Sequence, residues 1–276
     1  MTRIPFVKMH GAGNDFVAVD HREPFLPEPP DALLRRLCDR RRGVGADGVL
    51  LLERDPELDF TMRYHNADGG RAGFCGNGAR CLVRFALDLG LGRAGVVRFR
   101  SDAGVQEARH RPDGAIELHF GRVAAPGAPV TIEAAGRAFT GREFLVGVPH
   151  FVIGVAQVGL LPVAEWGAAL RRHARFAPAG ANVDFVARVS AAGGPGPARV
   201  AMRTYERGVE AETLACGSGA IASALWVGGE GAFSPVEVLT AGGDVLVVSF
   251  ERAGEGYDVR LTGPAEVSFR GTWEQP

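Results

Sequence analysis

The chain carries one cysteine signature twice, with Tyr64 ahead of Cys75-Gly76-Asn77-Gly78-Ala79 and Tyr205 ahead of Cys216-Gly217-Ser218-Gly219-Ala220. Both the tyrosines and the cysteines are 141 residues apart, so the two copies match without a gap. Such a repeat constrains the fold to two similar halves, each presenting a thiol where a helix begins. Two equivalent thiols suit chemistry with two equivalent faces.

The chain's 276 residues, 46% of them hydrophobic, suffice for two ordinary domains with cores of their own. The formal charge of -1 gives no reason to expect nucleic acid or an acidic membrane as partner. Arg40-Arg41-Arg42 and Arg171-Arg172 read as solvated helix faces or ends. Met1 to Asp20 lacks the apolar stretch of a signal peptide, and no spanning segment follows, so a soluble, cytoplasmic protein is expected. Cys38, Cys75, Cys81 and Cys216 form no CxxC pair. A disulfide scaffold is a poor reading in a reducing compartment. Zinc would need several converging ligands, and only His150 is a further candidate, so no metal is expected. Cys38 follows Leu33, Leu34 and Leu37 and reads as core, as does Cys81.

Strands are expected over Ile4–Met9, Phe16–Asp20, Val49–Glu53, Leu58–Tyr64, Val96–Arg100, Val105–Ala108 and Ile116–Phe120. Helices are expected over Asp31–Arg42, stopped by Gly43, and from Gly76 toward Leu89. In the second half, strands are expected over Glu143–Val148, Phe151–Val155, Asp184–Val189, Arg199–Tyr205, Val236–Leu239, Val245–Glu251, Tyr257–Leu261 and Ala265–Phe269, with helices over Glu165–Phe176 and Gly217–Val227. The last helix has no charged residue and belongs inside its domain. Antiparallel strands wrapped around such a helix would bury both. Gly121–Pro129 reads as the hinge, and Ala191–Pro197 as a hairpin insertion between strands.

A helix N-terminus leaves amides unpaired and carries partial positive charge, which favours a thiolate. Glycines there let a carboxylate approach the same amides. If the halves face each other across a cleft, the two sulfurs would lie on opposite sides of one carbon, about 7 to 8 Å apart by adding two reaches near 3.5 Å. One thiolate would take an alpha proton, and the other thiol would return one to the opposite face. The carboxylate gaining charge would rest on the helix starts. That arrangement suits an amino-acid racemase. No lysine sits in a pyridoxal phosphate context and no GxGxxG or phosphate-loop signature follows a strand, so no cofactor is expected.

His10-Gly11-Ala12-Gly13-Asn14-Asp15-Phe16, Gly43-Val44-Gly45-Ala46-Asp47-Gly48, Asn66-Ala67-Asp68-Gly69, Cys75 through Cys81, and Tyr205-Glu206-Arg207-Gly208 before Cys216-Gly217-Ser218-Gly219 resemble, in order, the motifs of the diaminopimelate epimerase family. The resemblance spans nearly the whole chain. It implies an α+β fold of two pseudo-symmetric, mostly antiparallel β-barrel or roll domains, each around a central α-helix. The N-terminal domain would be residues 1–121, completed by about 263–276, and the C-terminal domain 122–262. It further implies a homodimer that interconverts LL- and meso-2,6-diaminopimelate without a cofactor, in lysine and peptidoglycan precursor synthesis.

Carried over residue by residue, Cys75 and Cys216 would be the acid/base pair. Asn14 and Glu206 would meet the amino group at the reacting centre, and the amides of Gly76, Asn77, Gly217 and Ser218 its carboxylate. Asn66, Asn182 and Arg207 would hold the far end, the arginine through its fork-shaped donors. His150 resembles the family's histidine near the cysteines. Two positions depart from the pattern. Val148 stands where an asparagine is common, and Gly48 where some members have glutamine; valine offers the far end no hydrogen bond. Two other readings stay open on sequence grounds: a proline- or hydroxyproline-racemase-like enzyme, and a non-enzymatic amino-acid-binding protein. The polar groups at positions 66 and 207 favour a substrate with a second polar end, and two opposed thiols exceed what binding needs.

Overall fold

The computed structural model describes residues 3–28, 30–189, 197–228 and 234–274. The chain divides into two compact units, Met1–His119 with Gly263–Pro276, and Phe120–Thr262.

In unit one the strands are β1 (Arg3–Gly11), β2 (Asn14–Asp20), β3 (Gly48–Glu53), β4 (Phe60–Asn66), β5 (Arg71–Ala72), β6 (Val96–Ser101), β7 (Gly104–His110), the start of β8 (Ile116–Ala124), and β18 (Glu266–Glu274). The order of neighbours is β18, β1, β2, β3, β4, β6, β7, β8, with β5 also on β4. All pairs are antiparallel except β2 with β3 and β4 with β6. The parallel pairs are the ones joined through a helix, α1 (Asp31–Cys38) and α2 (Gly76–Asp88), because a parallel partner needs a crossover.

Unit two repeats this plan. Its strands are β9 (Val130–Ala134), β10 (Arg137–Val146), β11 (Val148–Gly154), β12 (Asn182–Arg188), β13 (Ala198–Glu206), β14 (Ala211–Thr213), β15 (Val236–Leu239), β16 (Val245–Ala253) and β17 (Gly256–Gly263). Neighbours run β9, β10, β11, β12, β13, β15, β16, β17, with β14 on β13. The parallel pairs are β11 with β12 and β13 with β15, spanned by α3 (Val163–Arg171) and α4 (Gly217–Gly228). The order matches unit one strand for strand. In neither unit do the outermost strands pair among the described residues, so the barrel-or-roll expectation resolves to an open roll.

Alternation along the strands sorts side chains between two layers. Leu50 and Leu52 of β3 pack with Ala79, Leu82 and Phe85 of α2, while Val49 and Leu51 pack with Leu34, Leu37 and Cys38 of α1. In unit two, Phe151, Val183, Phe185 and Tyr205 pack with Val163 and Leu170 of α3. The alternate residues of β11, β12 and β13 therefore point the other way, toward α4, whose residues are nearly all buried. Cys38 and Cys81 are core as expected, and burial pushes both thiols up to about 12.

Several boundaries differ from the sequence reading. The first helix stops at Cys38 rather than Arg42, because the Asp39 carboxylate accepts from the amides of Arg41 and Arg42 at 2.8 and 2.9 Å and bends the chain. The expected helix over Glu165–Phe176 splits into α3 and a 3₁₀ turn, Ala174–Phe176, at the extended His173, whose ring accepts from the Arg175 amide. The strand expected over Glu143–Val148 breaks at Gly147, whose φ of +70° turns β10 back as β11. The hinge expected over Gly121–Pro129 begins later, since β8 continues to Ala124 through Gly121. The loop expected at Ala191–Pro197 lies, apart from Pro197, outside the described residues. The arginine runs are less free than expected: Arg40 pairs with Asp15 and Asp47, and Arg171 and Arg172 both pair with Glu210.

Candidate active site

Each cysteine turn is built the same way. Cys75 is the N-cap of α2 with extended backbone, and its Sγ accepts from the Gly78 amide at 3.5 Å. Cys216 precedes α4, and its Sγ accepts from the Gly219 amide at 3.4 Å. The thiols thus stand where serine or aspartate commonly caps a helix, over amides that intrahelical bonding does not use. The positions following them are Gly76 and Asn77, and Gly217 and Ser218.

In unit one, the side chains at the helix start form a polarised chain. Arg80, fully buried, donates to Asn77 Oδ1 at 2.9 Å; Asn77 Nδ2 donates to Asn14 Oδ1 at 2.6 Å; Asn14 Nδ2 donates to Asp47 Oδ2 at 2.9 Å. A donor-only guanidinium at one end and an acceptor-only carboxylate at the other fix how both amides face. Below this chain, burial pushes the Asp15 carboxyl up, but hydrogen bonds from Arg40 and Lys8 outweigh it and hold the group well below the usual carboxylate range. Asn66 is exposed at the end of β4, opposite Gly48 in register, and its main chain closes a turn with Gly69 and Gly70. The structure thus joins Asn14, Asn77 and Cys75 at the start of α2 and leaves Asn66 on the strand end.

In unit two, the even-numbered residues of β12 face α4, and the parallel register places His150 opposite Asn182. His150 is buried; its Nδ1 lies 2.7 Å from Asp184 Oδ2, and its Nε2 3.0 Å from Ser218 Oγ and 3.4 Å from Asn182 Nδ2. Asn182 Oδ1 accepts from the Arg207 amide at 2.8 Å. Thr213 donates its hydroxyl to Glu206, and Ser218 Oγ lies 3.5 Å from Cys216 Sγ. Of the residues expected in the site, His150, Asn182, Glu206, Arg207, Cys216, Gly217 and Ser218 gather here.

Sequence reasoning missed Asp184 and Thr204. Asp184 is fully buried, accepts from Thr204 Oγ1 at 2.7 Å as well as facing His150, and sits against Gly219, where an added Cβ would lie 2.5 Å from its Oδ1. In the sequence, Asp184 reads only as the first residue of a strand. Only the β11–β12 register ties its aspartate to a histidine 34 residues away.

Burial raises the Cys216 thiol well above its ordinary range, and the carboxylates of Glu206 and Asp184 add to it, against the opposing bonds from Ser218 and the Gly219 amide. The helix start was expected to favour the thiolate; at Cys216 desolvation and two neighbouring carboxylates win. Glu206 is itself raised, first by burial and then by Asp184, with Thr213, His150 and Cys216 opposing. Since its folded pKa lies above the unfolded value, ionising Glu206 works against folding, and stability is lost as pH rises from its ordinary 4.5 through the folded value. Glu206→Gln, which cannot ionise, should therefore gain thermal stability relative to the unmodified protein as pH is raised from 4.5. Melting curves across that range check this; a gap independent of pH would contradict it.

The family model for diaminopimelate epimerase matches residues 6–125 and 144–267. A diaminopimelate epimerase of Aquifex aeolicus is 40% identical over 278 residues, covering 96% of each chain. One from Azoarcus is 39% identical over 287 residues, covering 99% of each. The chain belongs to the diaminopimelate epimerase family. Among solved structures, a PhzF-family phenazine biosynthesis protein of Bacillus anthracis superposes with a TM-score of 0.73 at 13% identity, over 100% of both chains. A probable proline racemase from Agrobacterium radiobacter superposes with a TM-score of 0.72 at 19% identity, over 99% of this chain and 93% of that one. At those identities the likeness is one of fold.

Within the diaminopimelate epimerase family pattern, the two departures now have surroundings. At Gly48 an added Cβ would lie 2.5 Å from the His65 carbonyl oxygen and 2.6 Å from the Tyr64 ring, so the ring occupies the space a longer side chain would need. Val148 starts β11 two residues before His150 and so shares its face, half-buried. It presents methyl groups on the side that carries the histidine.

Proposed function

We propose that this chain is an isomerase that interconverts LL- and meso-2,6-diaminopimelate, serving lysine and peptidoglycan precursor synthesis. The observation that carries this reading is 40% identity to a diaminopimelate epimerase across 96% of the chain, with a thiol placed over a helix N-terminus in both units. In the proposed reaction, one of Cys75 and Cys216 removes the alpha proton as thiolate while the other, as thiol, protonates the opposite face; the reverse reaction exchanges the roles. The amides of Gly76, Asn77, Gly217 and Ser218 stabilise the carboxylate as it gains charge. Asn14, whose Oδ1 is turned toward the start of α2, and Glu206 accept from the substrate ammonium. Asn66, Asn182 and Arg207 hold the distant amino and carboxylate groups.

We further propose that the reaction uses neither pyridoxal phosphate nor metal, and that the enzyme works in the cytoplasm as a homodimer. Family membership supports the dimer, and sedimentation of the purified protein tests it. Among the described residues no helix is long and apolar enough to cross a membrane, and no group of three or more His, Cys, Asp or Glu is placed to hold a metal ion. The function is tested by incubating purified, reduced protein with LL-diaminopimelate and, separately, with alanine, proline and glutamate. Formation of the meso isomer far faster than racemisation of any of the others is expected. Equal or better turnover of proline would overturn the substrate and leave the paired-thiol chemistry standing.

A further inference from the structure

We propose that Glu210 and Arg171 are positioning residues that clasp the turn presenting Arg207, and so set where its guanidinium meets the substrate. The proposal rests on the reading of Arg207 as the group for the distant carboxylate and adds what holds it there. β13 and β14 form a hairpin whose last pair is Glu206 with Ala211. Glu206 is fixed by that pairing and by the Thr213 hydroxyl. Arg207 is the first residue beyond the ladder, so the turn 207–210 decides where it stands.

The turn ends on a strained residue. Glu210 has a φ of +58°, a left-handed conformation that glycine adopts freely and that is unfavourable for a residue with a Cβ. It persists where the surroundings hold it, and here each polar group of Glu210 is engaged. Its amide donates to the Glu206 carbonyl at 2.8 Å, and its own carbonyl accepts from the Tyr205 hydroxyl at 2.7 Å. Oε1 accepts from the Gly208 amide at 3.2 Å and from Arg171 Nε at 2.7 Å, while Oε2 accepts from Arg172 at 3.1 Å. The Gly208 amide and the two arginines hold the carboxyl below its ordinary range, so it is charged at neutral pH.

Arg171 ties this turn to the strand that supports it from the other side. Its side chain is 18% exposed against 66% for Arg172, so Arg171 is the fixed member of the pair. Its guanidinium lies against Gly180, where an added Cβ would collide with Nη1, and its carbonyl accepts from the Ala181 amide at 3.4 Å. Asn182 comes next, and its Oδ1 accepts from the Arg207 amide at 2.8 Å. The path from Arg171 through Glu210, the turn, Arg207, Asn182 and Ala181 therefore closes on itself. An exposed ion pair contributes little to stability, so what this one supplies is placement.

Steady-state kinetics of purified, reduced protein with LL-diaminopimelate test the clasp in three variants. Glu210→Ala and Glu210→Gly lose the same carboxylate, but only glycine relieves the backbone there. The glycine form should therefore melt at the higher temperature, yet both should raise KM by the same factor, roughly tenfold, and leave kcat within about twofold. Arg171→Met should match them. In an Arg207→Ala background none of the three should raise KM further, because the clasp acts through that arginine. Hydrogen exchange gives a reading without substrate. The Arg207 amide, held by Asn182, should exchange about tenfold faster in each variant, while the β12 amides keep the parent rate. Unchanged exchange at Arg207, or KM values that follow melting temperature instead of the carboxylate, would overturn the clasp. If the parent leaves LL-diaminopimelate unconverted while the exchange still quickens, the substrate assignment fails and the clasp stands.

Discussion

Cys75→Ala and Cys216→Ala should each lower the rate of epimerisation by roughly 10² to 10⁴, the usual contribution of one positioned proton-transfer group. The two losses should differ in kind when proton exchange is followed in deuterated water. A variant that keeps one sulfur can still exchange the alpha hydrogen on the face that sulfur serves. Each variant should therefore wash deuterium into one epimer and leave the other unlabelled, with opposite preferences for the two variants. Serine replacements are less decisive, because a hydroxyl can still pass a proton. Near-normal epimerisation by both alanine variants, or exchange into both epimers by either, would end the two-thiol mechanism.

The second large effect is expected at the distant end of the substrate. Arg207 follows Glu206 at the end of β13, its amide held by Asn182, and its guanidinium makes no ion pair among the described residues. A substrate with a second carboxylate would supply that partner through a bidentate contact. Arg207→Ala should raise KM for LL-diaminopimelate and lower kcat/KM by a factor corresponding to about 2 to 5 kcal/mol, the range for truncating one partner of a desolvated charge pair. Turnover of simple amino acids, already slow, should change little, so the preference itself collapses. The loss should be larger than that from Asn66→Ala, since Asn66 is exposed at the end of β4. Unchanged selectivity in Arg207→Ala would place the distant group elsewhere.

What could be read from the sequence was whatever is contiguous. The two cysteine turns are gapless, so their helices and their relation were legible, and so was the burial of the uncharged second helix. Strands with alternation or a solid apolar run, such as Val49–Glu53, were legible for the same reason. β9 and the first half of β10 were not: Val130–Ala134 and Arg137–Arg142 are short, largely exposed and follow a Gly/Pro-rich segment, so burial leaves little pattern in them. α1 and α3 were overextended because what ends them is a side chain turned back on the backbone, at Asp39 and His173. The site divided along the same line. Residues within a motif could be found, whereas Asp184 and Thr204 belong to it through register between strands far apart in sequence.

The pairing of β1 with β18 sets an order of events. Arg3 lies opposite Glu274 and His10 opposite Glu266, so β1 waits for β18, made much later, before its outer edge is covered. Loop closure over nearly the full chain is slow compared with the local pairings on either side of it. Unit two, drawn from the uninterrupted stretch Phe120–Thr262, has no such delay and can mature while unit one still presents an open edge. During that interval the bare side of β1, with Ile4 and Phe6 along it, is a template for any other extended chain. Assembly is therefore open to mispairing along β1 in that interval, and the thiol at the start of α2 belongs to the unit that is completed last.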